Sequence, residues 1–92
     1  MNKDNKQILL SVIVPCFNEI KTLDKIINNI QSSPVESKEI IIVDDFSNDG
    51  SREFLKNVKS SNIKTIFHDA NRGKGAALCS GISEAKGKII II

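Results

Sequence analysis

Ninety-two residues with a formal net charge of +2 and a pI of about 8.6 make one small domain or part of one, too weakly basic to argue for a nucleic-acid partner. Aromatic residues are 4% of the chain and all are Phe, so there is no base-stacking platform of the kind single-strand binders use. Residues 1–7 are polar and read as a disordered N-terminus rather than a signal peptide or anchor, and the apolar stretch over 8–17 is interrupted by Ser11 and Pro15 and too short to span a bilayer. Cys16 and Cys79 have no CxxC or metal-ligand spacing and read as the reduced thiols of a cytoplasmic protein.

The elements alternate strand and helix from residue 8 onward. Residues 8–14 read as a first strand, ended by Pro15, which cannot donate to a central ladder. Residues 21–30 read as a helix, because Leu23, Ile26, Ile27 and Ile30 recur at the spacing of one helical face, and Ser32-Ser33-Pro34 stops it. Residues 39–43 form an unbroken apolar run after Glu39, the pattern of a strand buried on both faces. Residues 46–50 are turn-formers. A second helix follows over 51–59, with Phe54, Leu55 and Val58 inward and Asp49 or Ser51 as its cap. Residues 64–67 are a third strand, and 69–75 a polar, Gly-containing loop. Helix three covers 75–85, where Ala77, Gly81 and Ala85 recur every fourth residue and would let it lie close on a sheet, with Gly87 as its stop. A fourth strand runs over 88–92. This alternation predicts an α/β fold, three layers with a parallel, doubly wound sheet between helices, and it places three polar βα loops, 15–20, 44–50 and 68–74, along one sheet edge.

Those loops carry the candidate chemistry. In the first, Phe17 could flank a flat ring and Glu19 could accept from a hydroxyl or amine. In the second, Asp44 and Asp45 follow a strand and must point to opposite sides, so they do different jobs. Asp45 is read as a ligand acceptor, suited to the ring N–H of uracil or guanine or to a ribose hydroxyl. Asp44 and Asp49 are read as turn and cap residues. The spacing of Asp45, Ser47, Asp49 and Gly50 resembles a calcium loop, but its twelfth position is Lys56 rather than a bidentate Glu, which excludes it. In the third loop, Arg72-Gly73-Lys74-Gly75 before a helix suits a phosphate, with Lys74 as a point charge. The loop is not a Walker A motif, and no G-x-G-x-x-G follows the first strand. His68 is read as a surface or turn residue. Together the loops describe a reader of a nucleoside diphosphate.

Three blocks then become recognisable: Ser11-Val12-Ile13-Val14-Pro15-Cys16-Phe17-Asn18-Glu19, Glu39-Ile40-Ile41-Ile42-Val43-Asp44-Asp45-Phe46-Ser47-Asn48-Asp49-Gly50, and Asn71-Arg72-Gly73-Lys74-Gly75-Ala76-Ala77. Together they resemble the start of a family 2 glycosyltransferase of the GT-A fold, and the Arg-Gly-Lys-Gly loop is most similar to the polyprenyl-phosphate (dolichyl-phosphate mannose synthase-like) branch. Phe46 stands where the family often has Gly, which changes the turn and not the fold. The resemblance covers nearly all of residues 8–92. It implies a Rossmann-like nucleotide-binding half of a GT-A domain and transfer of a sugar from a nucleotide-diphospho-sugar, with polyprenyl phosphate as a candidate acceptor at a membrane. It also implies a divalent metal, Mg or Mn, for the full-length family member. By matching position, Pro15, Phe17, Glu19, Val43 and Asp45 would hold the nucleoside and Lys74 would approach the base or phosphate; none of these is a catalyst. In the family, the strand matching residues 88–92 leads into an Asp-x-Asp metal motif, and the catalytic base lies further on. On that reading the 92 residues bind no metal, show no turnover alone and expose apolar surface that favours self-association. The rival reading is a non-catalytic nucleotide-binding or receiver-like α/β module. A receiver places its acidic pair after the first strand; here the pair follows the second.

Overall fold

The structure, a computed structural model, describes residues 8–35 and 37–92; the expected disordered N-terminus, 1–7, lies outside them. Seven elements alternate as expected: β1 (Leu10–Cys16), α1 (Ile20–Gln31), β2 (Lys38–Asp44), α2 (Ser51–Lys56), β3 (Ile63–Phe67), α3 (Lys74–Glu84) and β4 (Ile89–Ile91). All four strands are parallel, in the order β3-β2-β1-β4. The chain steps outward from β1 to β3, then α3 carries it back across the sheet to β4 on the far side of β1.

β2 explains the three layers. It is buried along its whole length, and its side chains alternate between two cores as the pleat requires. Ile40 and Ile42 join Cys16, Leu23, Ile27 and Leu55 under α1 and α2, while Ile41 and Val43 join Ile13 and Ala77 under α3. Of the four residues that the periodicity of α1 turns inward, Leu23, Ile27 and Ile30 pack in this core, while Ile26 is only half-buried and lies outside it. α2 is shorter than expected, because after Lys56 the chain closes with tighter bonds from the Asn57 and Val58 amides to the Phe54 and Leu55 carbonyls; Phe54 and Val58 still pack inward.

Pro15 does not end β1. It pairs with Val43 inside the strand, and β1 runs on to Cys16. The Cys16 carbonyl accepts from the Asp45 amide on the β2 side. Alternation then turns the Pro15 nitrogen to the other side, where β4 pairs only Leu10–Val12 and no donor is needed.

The small-residue face of α3 does what its spacing suggests. A Cβ on Gly81 would lie 2.5 Å from Ile13 Cγ2 and 3.3 Å from Val43 Cγ2, so only glycine lets the helix sit this close to the sheet. Gly87 is not a left-handed helix stop, since α3 ends at Glu84 with Ala85 extended. It is there for close approach to β1: an added Cβ would lie 2.6 Å from Ser11 Oγ and 2.7 Å from the Ser11 nitrogen. Buried Glu39 holds this crossing, its Oε2 accepting from Ser11 Oγ and the Lys86 amide at 2.6 Å each, while Ser11 Oγ accepts from the Gly87 amide at 2.8 Å. On the same strand end, the buried Lys38 ammonium donates to the carbonyls of Gln31, Ser33 and Val35, closing the C-terminal end of α1. Edge strand β4 leaves Ile89, Ile90, Ile91 and Ile92 exposed.

Candidate nucleotide site

The three βα loops meet at the carboxyl ends of β1, β2 and β3, as the topology requires, beside the point where the strand order reverses. The first two are zipped together. The Asn18 amide donates to Ser47 Oγ (2.9 Å), the Asn48 amide to Asn18 Oδ1 (2.8 Å), the Glu19 amide to Ser51 Oγ (3.2 Å) and the Ile20 amide to Asp49 Oδ2 (3.0 Å). Asn18 and Phe46 both adopt left-handed φ, 54° and 67°, within these loops. Asn tolerates that conformation well; Phe does not, so the surrounding bonds must hold it. Asp49 also accepts from the Ser51 amide (3.0 Å) and hydroxyl (2.6 Å). One carboxylate thus serves the first amides of α1 and α2, which deepens the capping role expected for it, although Gly50 takes the N-cap position.

The two adjacent aspartates part as alternation demands. Asp44 is fully buried, and its Oδ2 accepts from the Ser47 amide (3.2 Å) and Arg52 Nη1 (3.0 Å). Arg52 Nη1 also donates to the His68 carbonyl (2.9 Å), and the guanidinium lies 5.0 Å from the Phe67 ring centroid and 5.7 Å from that of Phe46. Asp45, also buried, gathers loop three. Its Oδ1 accepts from the Arg72 amide (2.9 Å) and pairs with His68 Nδ1 (2.9 Å); its Oδ2 accepts from the Gly73 amide (2.9 Å). A carboxylate has about four acceptor positions. Among the described residues three are filled, which leaves one on Oδ2.

A cavity of about 360 Å³ opens here, lined by Pro15, Cys16, Phe17, Glu19, Asp45, Asn71, Gly73, Lys74 and Ala77. Five of the six residues singled out in the sequence therefore converge. The sixth, Val43, is fully buried beneath α3 and is not among the lining residues. Phe17 is half exposed, and Lys74 starts α3 with its side chain in solvent. His68 is not the surface residue its loop suggests: it is buried, with Nε2 2.8 Å from Ser80 Oγ. Arg52 is likewise a residue that sequence reasoning misses. Neither carries a spacing signal, because the partners that bury them come from other elements.

Electrostatics follow from this wiring. Burial alone would raise the Asp45 carboxyl, but the bonds from the Arg72 amide, His68 and the Gly73 amide outweigh it and hold the pKa below the ordinary carboxylate value. Asp49 is lowered in the same way: burial opposes ionisation, and the donors at Ser51 and Ile20 prevail. Burial, reinforced by the Asp44 charge, pushes the Cys16 thiol up to about 11, so this cavity-lining cysteine stays protonated at neutral pH and is no nucleophile. Both cysteines are free thiols. A carboxyl with a depressed native pKa stabilises the fold above its unfolded value of about 3.9 and loses that contribution as pH falls through the native value. Loops one to three are therefore expected to loosen only below about pH 4, where both carboxylates protonate. Amide exchange at Ile20, Ser51, Arg72 and Gly73, followed from pH 7 to pH 3, checks this; loosening complete by pH 6 would refute it. Among the described residues no group of three or more His, Cys, Asp or Glu side chains could hold a metal ion, so the residues present do not fit the divalent cation that the family resemblance implies.

The chain is similar to proteins of known function. Residues 11–92 match the family described as glycosyl transferase family 2. A cholesterol galactosyltransferase of Borreliella burgdorferi is 42% identical over 84 residues, 89% of this chain and 23% of the relative. Among solved structures, the mannosyltransferase PcManGT of Pyrobaculum calidifontis, in complex with GDP-Man and Mn2+, superposes with a TM-score of 0.75 at 27% identity over 94% of this chain and 27% of that one. S. aureus TarS 1-349 in complex with UDP does so with a TM-score of 0.77 at 25% identity over 91% and 26%. The chain thus spans about a quarter of the length of the proteins it matches. With a family match across nearly all the described residues and a GT-A-like parallel sheet beneath the site, the chain belongs to glycosyl transferase family 2.

Proposed function

We propose that this chain is the nucleotide-binding part of a glycosyltransferase that takes its sugar from a nucleotide-diphospho-sugar, acting in the cytoplasm. The observation that carries this reading is the cavity at the carboxyl edge, where Asp45 offers one open acceptor position between an exposed Phe17 ring and the cationic start of α3 at Lys74. An N–H on the base meets the carboxylate, the ring lies against Phe17 and Pro15, Glu19 accepts from a hydroxyl, and the phosphates extend towards Lys74 and the N-terminal amides of α3. Complexes of two structural neighbours, one with GDP-Man and one with UDP, support a nucleotide ligand. For the acceptor we favour a lipid. The Arg72-Gly73-Lys74-Gly75 loop resembles the polyprenyl-phosphate branch, and the Borreliella relative is named for a sterol acceptor.

Titration of the 15N-labelled protein with UDP and with GDP tests the site. At least one is expected to shift the amides of Phe17, Glu19, Asp45, Gly73 and Lys74 together. No shift with either nucleotide at millimolar concentration, or shifts confined to the opposite edge near Lys38 and Lys64, would overturn the reading.

A further inference from the structure

His68 is the chain's one histidine, and it is 6% exposed although it opens a polar loop. It lies between two partners, with Nδ1 2.9 Å from Asp45 Oδ1 and Nε2 2.8 Å from Ser80 Oγ on α3. The ionised Asp45 carboxylate can only accept, so Nδ1 carries the proton. In the neutral ring Nε2 then accepts from the Ser80 hydroxyl, and the two bonds fix both the tautomer and the ring plane.

The consequence falls on Asp45. Among the described residues, His68 and the Arg72 amide fill both acceptor positions of Oδ1, while Oδ2 takes the Gly73 amide and keeps one position free. We propose that His68 is a positioning residue for the nucleotide: backed by Ser80, it locks the Asp45 carboxylate so that Oδ2 is the oxygen offered to the ligand. The proposal rests on the nucleotide reading of the cavity. A carboxylate already locked loses no rotational freedom on binding, and the loop-three residues it ties, Arg72 and Gly73, stay beside the start of α3. The order Ser80, His68, Asp45 is also that of a hydrolytic triad, but Ser80 is not among the residues that line the cavity beside Asp45.

Leucine and asparagine at position 68 separate positioning from packing. Leu fills the ring's volume without a donor; Asn leaves space but places an amide N–H near the position of Nδ1. With whichever of UDP or GDP binds the wild type more tightly, His68→Leu is expected to weaken binding at least about tenfold, His68→Asn to recover it to within about threefold, and Ser80→Ala to cost about two- to fivefold. Wild-type affinity in His68→Leu, or His68→Asn no better than His68→Leu, overturns the proposal while leaving the nucleotide site intact. A wild type that binds neither nucleotide overturns the site itself and the proposal with it. If the Leu variant does not fold, the ring 15N spectrum of the wild type decides: a proton on Nδ1 is the expected result, and a proton on Nε2 alone overturns it.

Discussion

Replacing Arg52 with methionine is expected to destabilise the fold by about 3 kcal/mol, the lower end of the range for removing one partner of a buried ion pair. The lower end applies because the Arg52 side chain is 22% exposed, whereas that of Asp44 is fully buried. Methionine keeps much of the contact with Phe67, so the loss is mainly electrostatic. Asp44 Oδ1 already has no hydrogen-bond partner among the described residues, and without Arg52 the carboxylate keeps only the Ser47 amide. The His68 carbonyl loses a donor as well, which loosens the start of loop three. In a chain of this length such a loss is a large share of a total stability of roughly 5–10 kcal/mol. Urea unfolding of Arg52→Met, Asp44→Asn and the double variant measures it. The double variant is expected to be more stable than the sum of the singles predicts, because no buried charge is left behind. Strict additivity would refute the account.

Asp45→Asn is expected to abolish most nucleotide affinity, at least a tenfold loss or about 1.4 kcal/mol, with little change in side-chain volume. Three donors, His68 Nδ1–H and the amides of Arg72 and Gly73, converge on the two carboxylate oxygens. An amide has one oxygen and one NH2, so in either orientation a donor faces a donor. With the NH2 at the Oδ2 position, the Gly73 amide is orphaned and the acceptor offered to the ligand becomes a donor. With it at the Oδ1 position, His68 and Arg72 both lose their acceptor, the worse outcome. The first orientation is therefore preferred, and it removes the atom assigned to the ligand. It also removes a negative charge from the N-terminal end of α3, where one is favourable. UDP and GDP titrations, together with hydrogen exchange at Arg72 and Gly73, check both parts. Unchanged affinity in a folded Asp45→Asn protein would sink the assignment.

Much of the architecture is legible in the order of residues along the chain. The Ile-rich run over 40–43, the helical spacing of Leu23, Ile26, Ile27 and Ile30, and the four-residue repeat of Ala77, Gly81 and Ala85 are local periodicities, and periodicity reports which faces must be buried. The site is partly legible for the same reason: polar loops at strand ends share one sheet edge in a parallel fold, so Pro15, Phe17, Glu19, Asp45 and Lys74 are expected to converge. Pro15 departs from expectation, because a rule about central strands ignores which side of the strand is bonded at that residue. Gly87 departs from it because its constraint is a neighbour on β1, 76 residues earlier, and not its own φ.

The sequence by itself determined the strand–helix alternation, the parallel sheet and the edge on which the polar loops gather, since each follows from the order of apolar and polar residues along the chain. Only the tertiary structure decided how the charged residues are used. Asp44 pairs with Arg52, Asp49 bridges the starts of two helices, and Asp45 holds loop three through His68 and the amides of Arg72 and Gly73. Hydrogen bonds are directional and reach only about 3 Å. Which of several plausible partners a buried polar group takes is therefore settled by where the folded backbone brings them, and local sequence carries no record of it.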